Sequence, residues 1–345
     1  AAQSTLKKSG AIGENMSELL KTDGLAIGYS SASGVLCRNL NLSLNAGEMV
    51  CLLGPNGSGK STLLRTLAGL QPPIDGIVWL GRQNIIELAR ADLAQQLAVV
   101  LTEKPAAGML RVYDLVALGR IPYSNLFGRL SEEDHKVVRQ SLKQVHLLDY
   151  QDRLLTELSD GEAQRVMIAR ALAQESEVII LDEPTVHLDL PTRIEVLSLL
   201  HRLSRDTGKA ILLSTHELNL ALQLADSVWL LDDDHQLQIG MPEELVLSGA
   251  LKAAFARPGF ELDLLTGTLQ LPENVNGKSV MVLGEDETAE WTRRAIQRSG
   301  FLLAEESRGG VASITPNEKG WMLQTNHQEI HISTLKALLD TLKQL

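Results

Sequence analysis

Apolar and polar positions follow two rhythms along the chain. Short apolar runs bounded by Gly, Asp or Asn are each followed by a stretch of helical spacing: Met49 to Leu53 then Ser61 to Leu70, Val178 to Leu181 then Thr192 to Leu203, Ala210 to Ser214 then Leu218 to Ala225. Strands alternating with helices predict an α/β fold with a largely parallel sheet. Val178-Ile179-Ile180-Leu181 and Ile211-Leu212-Leu213 are unbroken apolar runs, as expected of strands covered on both faces. From about Val112 to Ala173 the strand rhythm disappears, and Val112 to Leu118 and Glu132 to Leu148 carry helical spacing instead. This region reads as an all-helical insertion in the α/β core.

A turn-rich segment, Thr266 to Gly277, contains Pro272, Asn274, Asn276 and Gly277 and reads as a boundary. Beyond it, Ser279 to Leu283, Val311 to Ile314 and Trp321 to Gln324 read as strands, and Thr288 to Arg298 as a helix ended by Gly300. A last helix, Leu335 to Leu345, carries Leu335, Leu338, Leu339, Leu342 and Leu345 on one stripe. The expected organisation is an N-terminal extension over 1–19, an α/β domain over 20–272 with its helical part at about 104–173, and a small α+β domain over 273–345. In that last domain His327 and His331 are four apart, but the strand alternation Glu329-Ile330-His331-Ile332 places them poorly for one helical face, so an ordinary surface is the expectation.

Composition narrows the class. The 345 residues suffice for two domains, and 44% hydrophobic with 22% charged residues excludes wholesale disorder, collagen-like repeats and disulfide scaffolds. A net charge of −11 argues against a surface that attracts nucleic acid or anionic lipid. The two cysteines, Cys37 and Cys51, sit in apolar surroundings without partners at metal-ligand spacing, which points to buried inert thiols and a reducing compartment. No apolar run approaches the roughly 20 residues of a membrane span. Ala1 to Asn15 lacks the basic-then-apolar order of a secretory signal, and Met16 is a candidate natural start.

The candidate chemistry begins at Gly54-Pro55-Asn56-Gly57-Ser58-Gly59-Lys60-Ser61-Thr62, which follows an apolar run and opens a helix. Glycines let backbone N–H groups turn inward around phosphates where a Cβ would obstruct them. Lys60 supplies a point charge to the β and γ oxygens, the Ser61 hydroxyl is placed to coordinate Mg²⁺, and the helix directs its positive end at the anion. Asp182 and Glu183 emerge together from the run Val178 to Leu181, at the edge where open α/β sheets bind ligands. Asp182 suits a Mg²⁺ ligand and Glu183 suits a base for an attacking water. Alone, such a pair after a strand is more often a helix cap or loop charge, and the phosphate-loop pattern upstream reverses that reading.

These residues, together with Leu158-Ser159-Asp160-Gly161-Glu162 and the following Ala163-Gln164-Arg165, resemble the ATP-binding subunits of ABC transporters. The family form of the last motif is LSGGQ, so Asp160 and Glu162 depart from it while Ser159 and Gly161 are retained. Ser159 with an acidic residue three positions on is also an ordinary helix cap. The resemblance spans roughly residues 20 to 265, and it implies an α/β P-loop NTPase of ABC type with a helical subdomain, followed here by the small C-terminal α+β domain. It also implies ATP and Mg²⁺ as cofactors. By the same resemblance Tyr29 stacks on adenine, Glu183 and His216 carry catalysis, Asp189 lies in the loop that crosses to an opposing copy, and Ser159 and Gly161 contact the γ-phosphate of the partner's nucleotide. A core tyrosine, a structural histidine and a cap are the plain readings of Tyr29, His216 and Asp189.

Where the family carries glutamine after the second core strand, Val100-Leu101-Thr102-Glu103 puts Glu103 at the Mg²⁺ and coupling position, with altered metal dependence or coupling as the expectation. Val112 to Tyr123, VYDLVALGRIPY, is similar to the stretch found in importers of iron chelates, haem or vitamin B12. The implied function is an ATPase on the cytoplasmic membrane face that powers import through separate permease subunits, paired with a second copy and served by a substrate-binding protein. An ABC-type ATPase of another transporter, and a regulatory or scaffold subunit with weak turnover, are the alternatives. A ribosome- or DNA-acting relative is disfavoured by the single P-loop, the absence of long heptads and the acidic charge.

Overall fold

The computed structural model describes residues 18–29, 34–101, 109–124, 129–256, 261–263, 268–270, 278–304, 312–317, 319–325 and 328–344. Glu103, His327 and residues 1–17 lie outside them, as does most of the segment 264–277. The chain divides into two compact units, Ala1–Arg257 with Leu262–Leu269, and Pro258–Glu261 with Gln270–Leu345.

In chain order the first unit contains β1 (Glu18–Gly28), β2 (Val35–Leu40), β3 (Ser43–Asn45), β4 (Met49–Leu53), α1 (Lys60–Leu67), β5 (Asp75–Leu80), β6 (Gln83–Asn84), α2 (Arg90–Gln96) and β7 (Leu97–Val100). Helices α3 (Val112–Ala117), α4 (Glu132–Gln144) and α5 (Asp160–Ala173) follow, and then β8 (Val178–Leu181), α6 (Leu190–Thr207), β9 (Ala210–Ser214), α7 (Leu218–Leu224), β10 (Ser227–Leu231), β11 (Leu237–Gly240), α8 (Pro242–Leu247) and α9 (Ala250–Ala254).

The central sheet runs β11-β10-β4-β9-β8-β7 and is parallel except at β11. All five residues of β4 are buried, and they divide by alternation: Met49, Cys51 and Leu53 enter the core shared with α3, α5 and α6, whereas Val50 and Leu52 enter the core shared with α1 and β1. Val178 and Ile180 likewise part from Ile179 and Leu181. Both faces are apolar because both are covered. Parallel strands deliver their carboxyl ends to one edge, so the residues after Leu53, Leu181, Ser214 and Leu231 meet there.

A second sheet, β2-β1-β5-β6 with β3 on β1, is antiparallel, and the sequence rhythm does not reveal it. Its long strand β1 is interrupted by Gly24 at φ +57, with register shifts between Asp23 and Ala26, so apolar and polar residues lose their two-residue alternation.

The helical stretch is tied together by the motif around Gly119. A Cβ there would lie 2.4 Å from the Arg170 carbonyl, so only glycine lets the turn Leu118–Tyr123 press onto α5. Arg120 is buried beside it and donates to Asp134 on α4 at 2.8 Å, to the Ala173 carbonyl at 2.8 Å and to Glu175 at 2.6 Å. Its guanidinium also stacks on the Tyr123 ring. Asp134 is pulled down to about 2 by the Ser131 hydroxyl and amide, and by Arg120 against the opposing effect of burial.

Strands β12 (Glu261–Asp263) and β13 (Thr268–Gln270) form a two-stranded sheet. The second unit is an open sandwich. Its sheet runs β15-β14-β16-β17-β18, built from β14 (Ser279–Val282), β15 (Leu302–Leu303), β16 (Ala312–Asn317), β17 (Gly320–Thr325) and β18 (Glu329–Ile332). Helices α10 (Glu287–Arg298) and α11 (Leu335–Gln344) bury Ile296, Leu338 and Leu342 with Val280, Ile314 and Leu323. Cys37 and Cys51 are both buried, and burial pushes their thiols up to about 11 and about 12, with Asp232 and Asp226 adding to the shift. Among the described residues no helix is long and apolar enough to cross a membrane.

Candidate functional site

The loop Gly54–Gly59 leaves β4 and enters α1 through three glycines with positive φ, Gly54, Gly57 and Gly59. At Gly54 the reason is a close approach: a Cβ would fall 2.2 Å from the Leu231 carbonyl at the end of β10. Asn56 and Gly57 are exposed at the tip, whereas Ser58 is buried with no hydrogen-bond partner for its hydroxyl. Helix α1 has no side-chain cap and no acid in its first turn, so its first N–H groups stay open to an anion.

Lys60 folds back into this loop. Its Nζ donates to the Gly54 carbonyl at 2.8 Å and to the Pro55 carbonyl at 2.9 Å. Burial lowers its pKa from the usual lysine value, against the upward pull of Glu183 and then Asp182. The ammonium is therefore weakly solvated and held where a phosphate would gain most from it.

Ser61 Oγ lies 3.3 Å from Asp182 Oδ1, which also accepts from the Ser214 hydroxyl at 2.7 Å. Ser214 Oγ in turn accepts from the Glu183 amide at 2.9 Å. One hydroxyl at the end of β9 thus fixes both acidic residues at the end of β8. Glu183 has φ +49, a left-handed backbone that holds its carboxylate in place, and its Oε1 lies 2.6 Å from His216 Nε2. Ser214 was not among the expected site residues, and its one sequence signal is a hydroxyl closing the apolar run Ala210 to Ser214.

Tyr29 is 45% exposed, which removes the core reading, and its hydroxyl lies 3.0 Å from that of Thr62. Lys60, Ser61, Thr62, Asp182, Glu183 and His216 thus gather at one sheet edge, with Tyr29 on the flank of α1. Among the described residues no group of three or more His, Cys, Asp and Glu forms a metal site. Ser61 and Asp182 offer two oxygen donors, which fits Mg²⁺, an ion that takes the rest of its shell from water and phosphate.

The other expected residues collect at the N-termini of α5 and α6. Ser159 caps α5 in a reciprocal box: its amide and hydroxyl donate to Glu162 at 2.8 and 2.7 Å, and its hydroxyl accepts from the Glu162 amide at 3.3 Å. The cap reading of this motif is therefore realised. Gly161 is pressed against α6, where a Cβ would come 2.3 Å from the Thr192 methyl. Asp189 caps α6 by accepting from the Thr192 amide at 3.2 Å. Arg193 joins this loop to the histidine loop, donating to the Leu188 carbonyl at 2.7 Å and to Glu217 at 2.5 Å.

The ABC transporter family profile matches residues 37–186, and that of the iron ABC transporter C-terminal domain matches residues 276–343. An uncharacterized ABC transporter ATP-binding protein of Methanocaldococcus jannaschii is 39% identical over 266 residues, which is 77% of this chain and 91% of the relative. This chain belongs to the ABC transporter ATP-binding proteins.

Another relative, the iron(3+)-hydroxamate import ATP-binding protein FhuC of Bacillus subtilis, is 36% identical over 236 residues, 68% of this chain and 87% of its own length. Among solved structures, an inward-facing metal-chelate type ABC transporter aligns with TM-score 0.61 at 32% identity, covering 69% of this chain and 89% of that one. As a family member, the chain is an ATP-hydrolysing transport subunit.

Proposed function

We propose that this chain powers the import of an iron chelate, haem or cobalamin through separate permease subunits. Glu183 is the general base for the attacking water, and His216 orients it. The observation that carries this is the Glu183–His216 contact of 2.6 Å, one residue beyond an Asp182 that faces Ser61. Gly54 to Thr62 cradle the phosphates, Lys60 neutralises the β and γ oxygens, and Tyr29 offers its exposed ring to adenine. Ser61 and Asp182, with Glu103 as the expected third group, would hold Mg²⁺, which when bound offsets the charge developing on the transferred phosphoryl group.

Two copies pair head to tail, so that Ser159 and Gly161 of one meet the nucleotide of the other, with Asp189 at the crossing. Support comes from Leu190 and Ile194, large apolar residues left 60% and 43% exposed beside Asp189, a surface that a second copy would cover. The permease would dock near Leu101 and the turn Leu118–Tyr123, where Leu101, Leu118 and Ile121 are exposed. A subunit docked in this way would work peripherally on the cytoplasmic face. The iron-type C-terminal domain match and the hydroxamate-import relative support an iron chelate as cargo. A substrate-binding protein would deliver it.

Replacing Glu183 with Gln should lower ATP turnover by about 10²- to 10⁴-fold while ATP still binds. Unchanged turnover would remove the assignment. A subunit with weak turnover is the second reading, favoured by the Ser159 hydroxyl being engaged by Glu162. Under it, the wild type and the Glu183→Gln variant would turn over equally slowly.

A further inference from the structure

His235 stands in the turn between β10 and β11, 177 residues from the phosphate loop in sequence. Hydrogen bonds within the turn hold it: the Asp232 amide donates to the Gln236 carbonyl at 3.1 Å, the Gln236 amide to Asp232 Oδ1 at 2.8 Å, and the His235 amide to the Asp232 carbonyl at 3.2 Å. Within it His235 has φ +59, a left-handed conformation that is unfavourable for an ordinary L residue. A glycine would meet the same turn without that cost. The side chain supplies a compensating contact: Nδ1 lies 2.9 Å from the backbone carbonyl of Ser58, in the phosphate loop. A carbonyl can only accept, so Nδ1 carries the hydrogen and donates.

The same hairpin touches the loop at a second point. The Leu231 carbonyl closes on Gly54 so tightly that a Cβ there would lie 2.2 Å away. The end of β10 and the turn after it therefore brace the phosphate loop at its entry, Gly54, and at its exit, Ser58.

We infer that His235 is a positioning residue for the nucleotide, acting through the Ser58–Gly59 peptide. A trans peptide is planar, with its C=O and N–H pointing in opposite directions. Holding the Ser58 carbonyl on His235 points the Gly59 N–H the other way, into the loop, where backbone N–H groups bind phosphate. Gly59, at φ +109 and without a Cβ, leaves this peptide free to turn over, so an external anchor matters here. The Ser58 hydroxyl does not serve as that anchor, because it is buried and unpartnered.

The inference rests on the nucleotide-binding reading of the loop, and four full-length proteins separate the two. Wild type, Lys60→Ala, His235→Gly and His235→Asn are titrated with ATP by calorimetry in the presence of a chelator, with thermal melting in parallel. Glycine suits the left-handed backbone and removes the donor. Asparagine tolerates the same backbone and carries an amide nitrogen at the branch position of Nδ1. His235→Gly should bind ATP about three- to tenfold more weakly without melting earlier, and His235→Asn should recover most of the affinity. Wild-type affinity in His235→Gly, or equal losses in the Gly and Asn variants, would overturn the role of His235. Undiminished ATP binding by Lys60→Ala would instead overturn the loop assignment itself.

Discussion

Two helix ends in the ATPase unit are expected to face phosphate, and they are built in opposite ways. Helix α1 begins at Gly59 with no side-chain cap, no acid in its first turn and a cation folded over its end. Helix α5 begins at Ser159 with a full capping box and two acids, Asp160 and Glu162. An uncapped end retains free N–H donors and an undiminished positive dipole. At the capped end the Glu162 carboxylate takes the Ser159 amide and the Ser159 hydroxyl takes the Glu162 amide. The first leaves its N–H donors open to an anion. The second would bind phosphate only if the Ser159 hydroxyl exchanged Glu162 for the nucleotide, and its two carboxylates would give a closed dimer a weaker pull than the uncharged cap of an LSGGQ-type end.

The largest test concerns what fixes α5 at its other end. Arg120→Ala removes the donor to the Ala173 carbonyl at the last residue of α5 and strands the buried Asp134, so unfolding should become easier by about 3 to 5 kcal/mol in chemical denaturation. A loss below about 1 kcal/mol would mean that α5 is held by packing alone. Next, Lys60→Ala should weaken ATP binding about 10- to 150-fold, because a poorly solvated cation leaves the open end of α1. An effect as small as that of a surface lysine would erase the contrast between the two ends.

Smaller effects sharpen the capped end. Glu162→Gln takes one negative charge from it, and ATP-driven dimerisation, followed by analytical ultracentrifugation, should tighten about two- to fivefold. The Ser159 amide and then its hydroxyl hold the Glu162 carboxyl below its usual value of 4.5. A depressed carboxyl stabilises the fold above that usual value, and its contribution fades as the pH falls below it through the folded value. The wild type should therefore lose about 0.5 kcal/mol of helix capping in melts taken between about pH 6 and about pH 3, and Glu162→Gln should lack this component.

Legibility in the sequence followed locality. The phosphate loop, the run ending in Asp182-Glu183 and the box Ser159 to Glu162 are contiguous, so spacing alone singles them out, and the structure sets them on the ends of β4, β8 and α5. Both-face burial of β4 and β8 was legible for the same reason, since an apolar run needs no partner to be seen. The antiparallel sheet around β1 was not, because Gly24 and the register shifts break its alternation. Gly119 and Arg120 stood out only as part of a similarity to importers. Their physical reason is contact with the Arg170 carbonyl and with Asp134 and Glu175, groups brought near by the packing of α4 and α5.

The amino-acid sequence by itself determined that a glycine-rich loop between strand and helix, an acidic strand end and a flanking helical stretch exist, because backbone freedom, charge and apolar periodicity are written in neighbouring residues. Tertiary structure alone decided which hydroxyl holds Asp182 and Glu183, and that His235 reaches Ser58 across a separation of 177 residues. Parallel strands bring distant loops to one sheet edge, and no local pattern can announce a partner that arrives on a different strand.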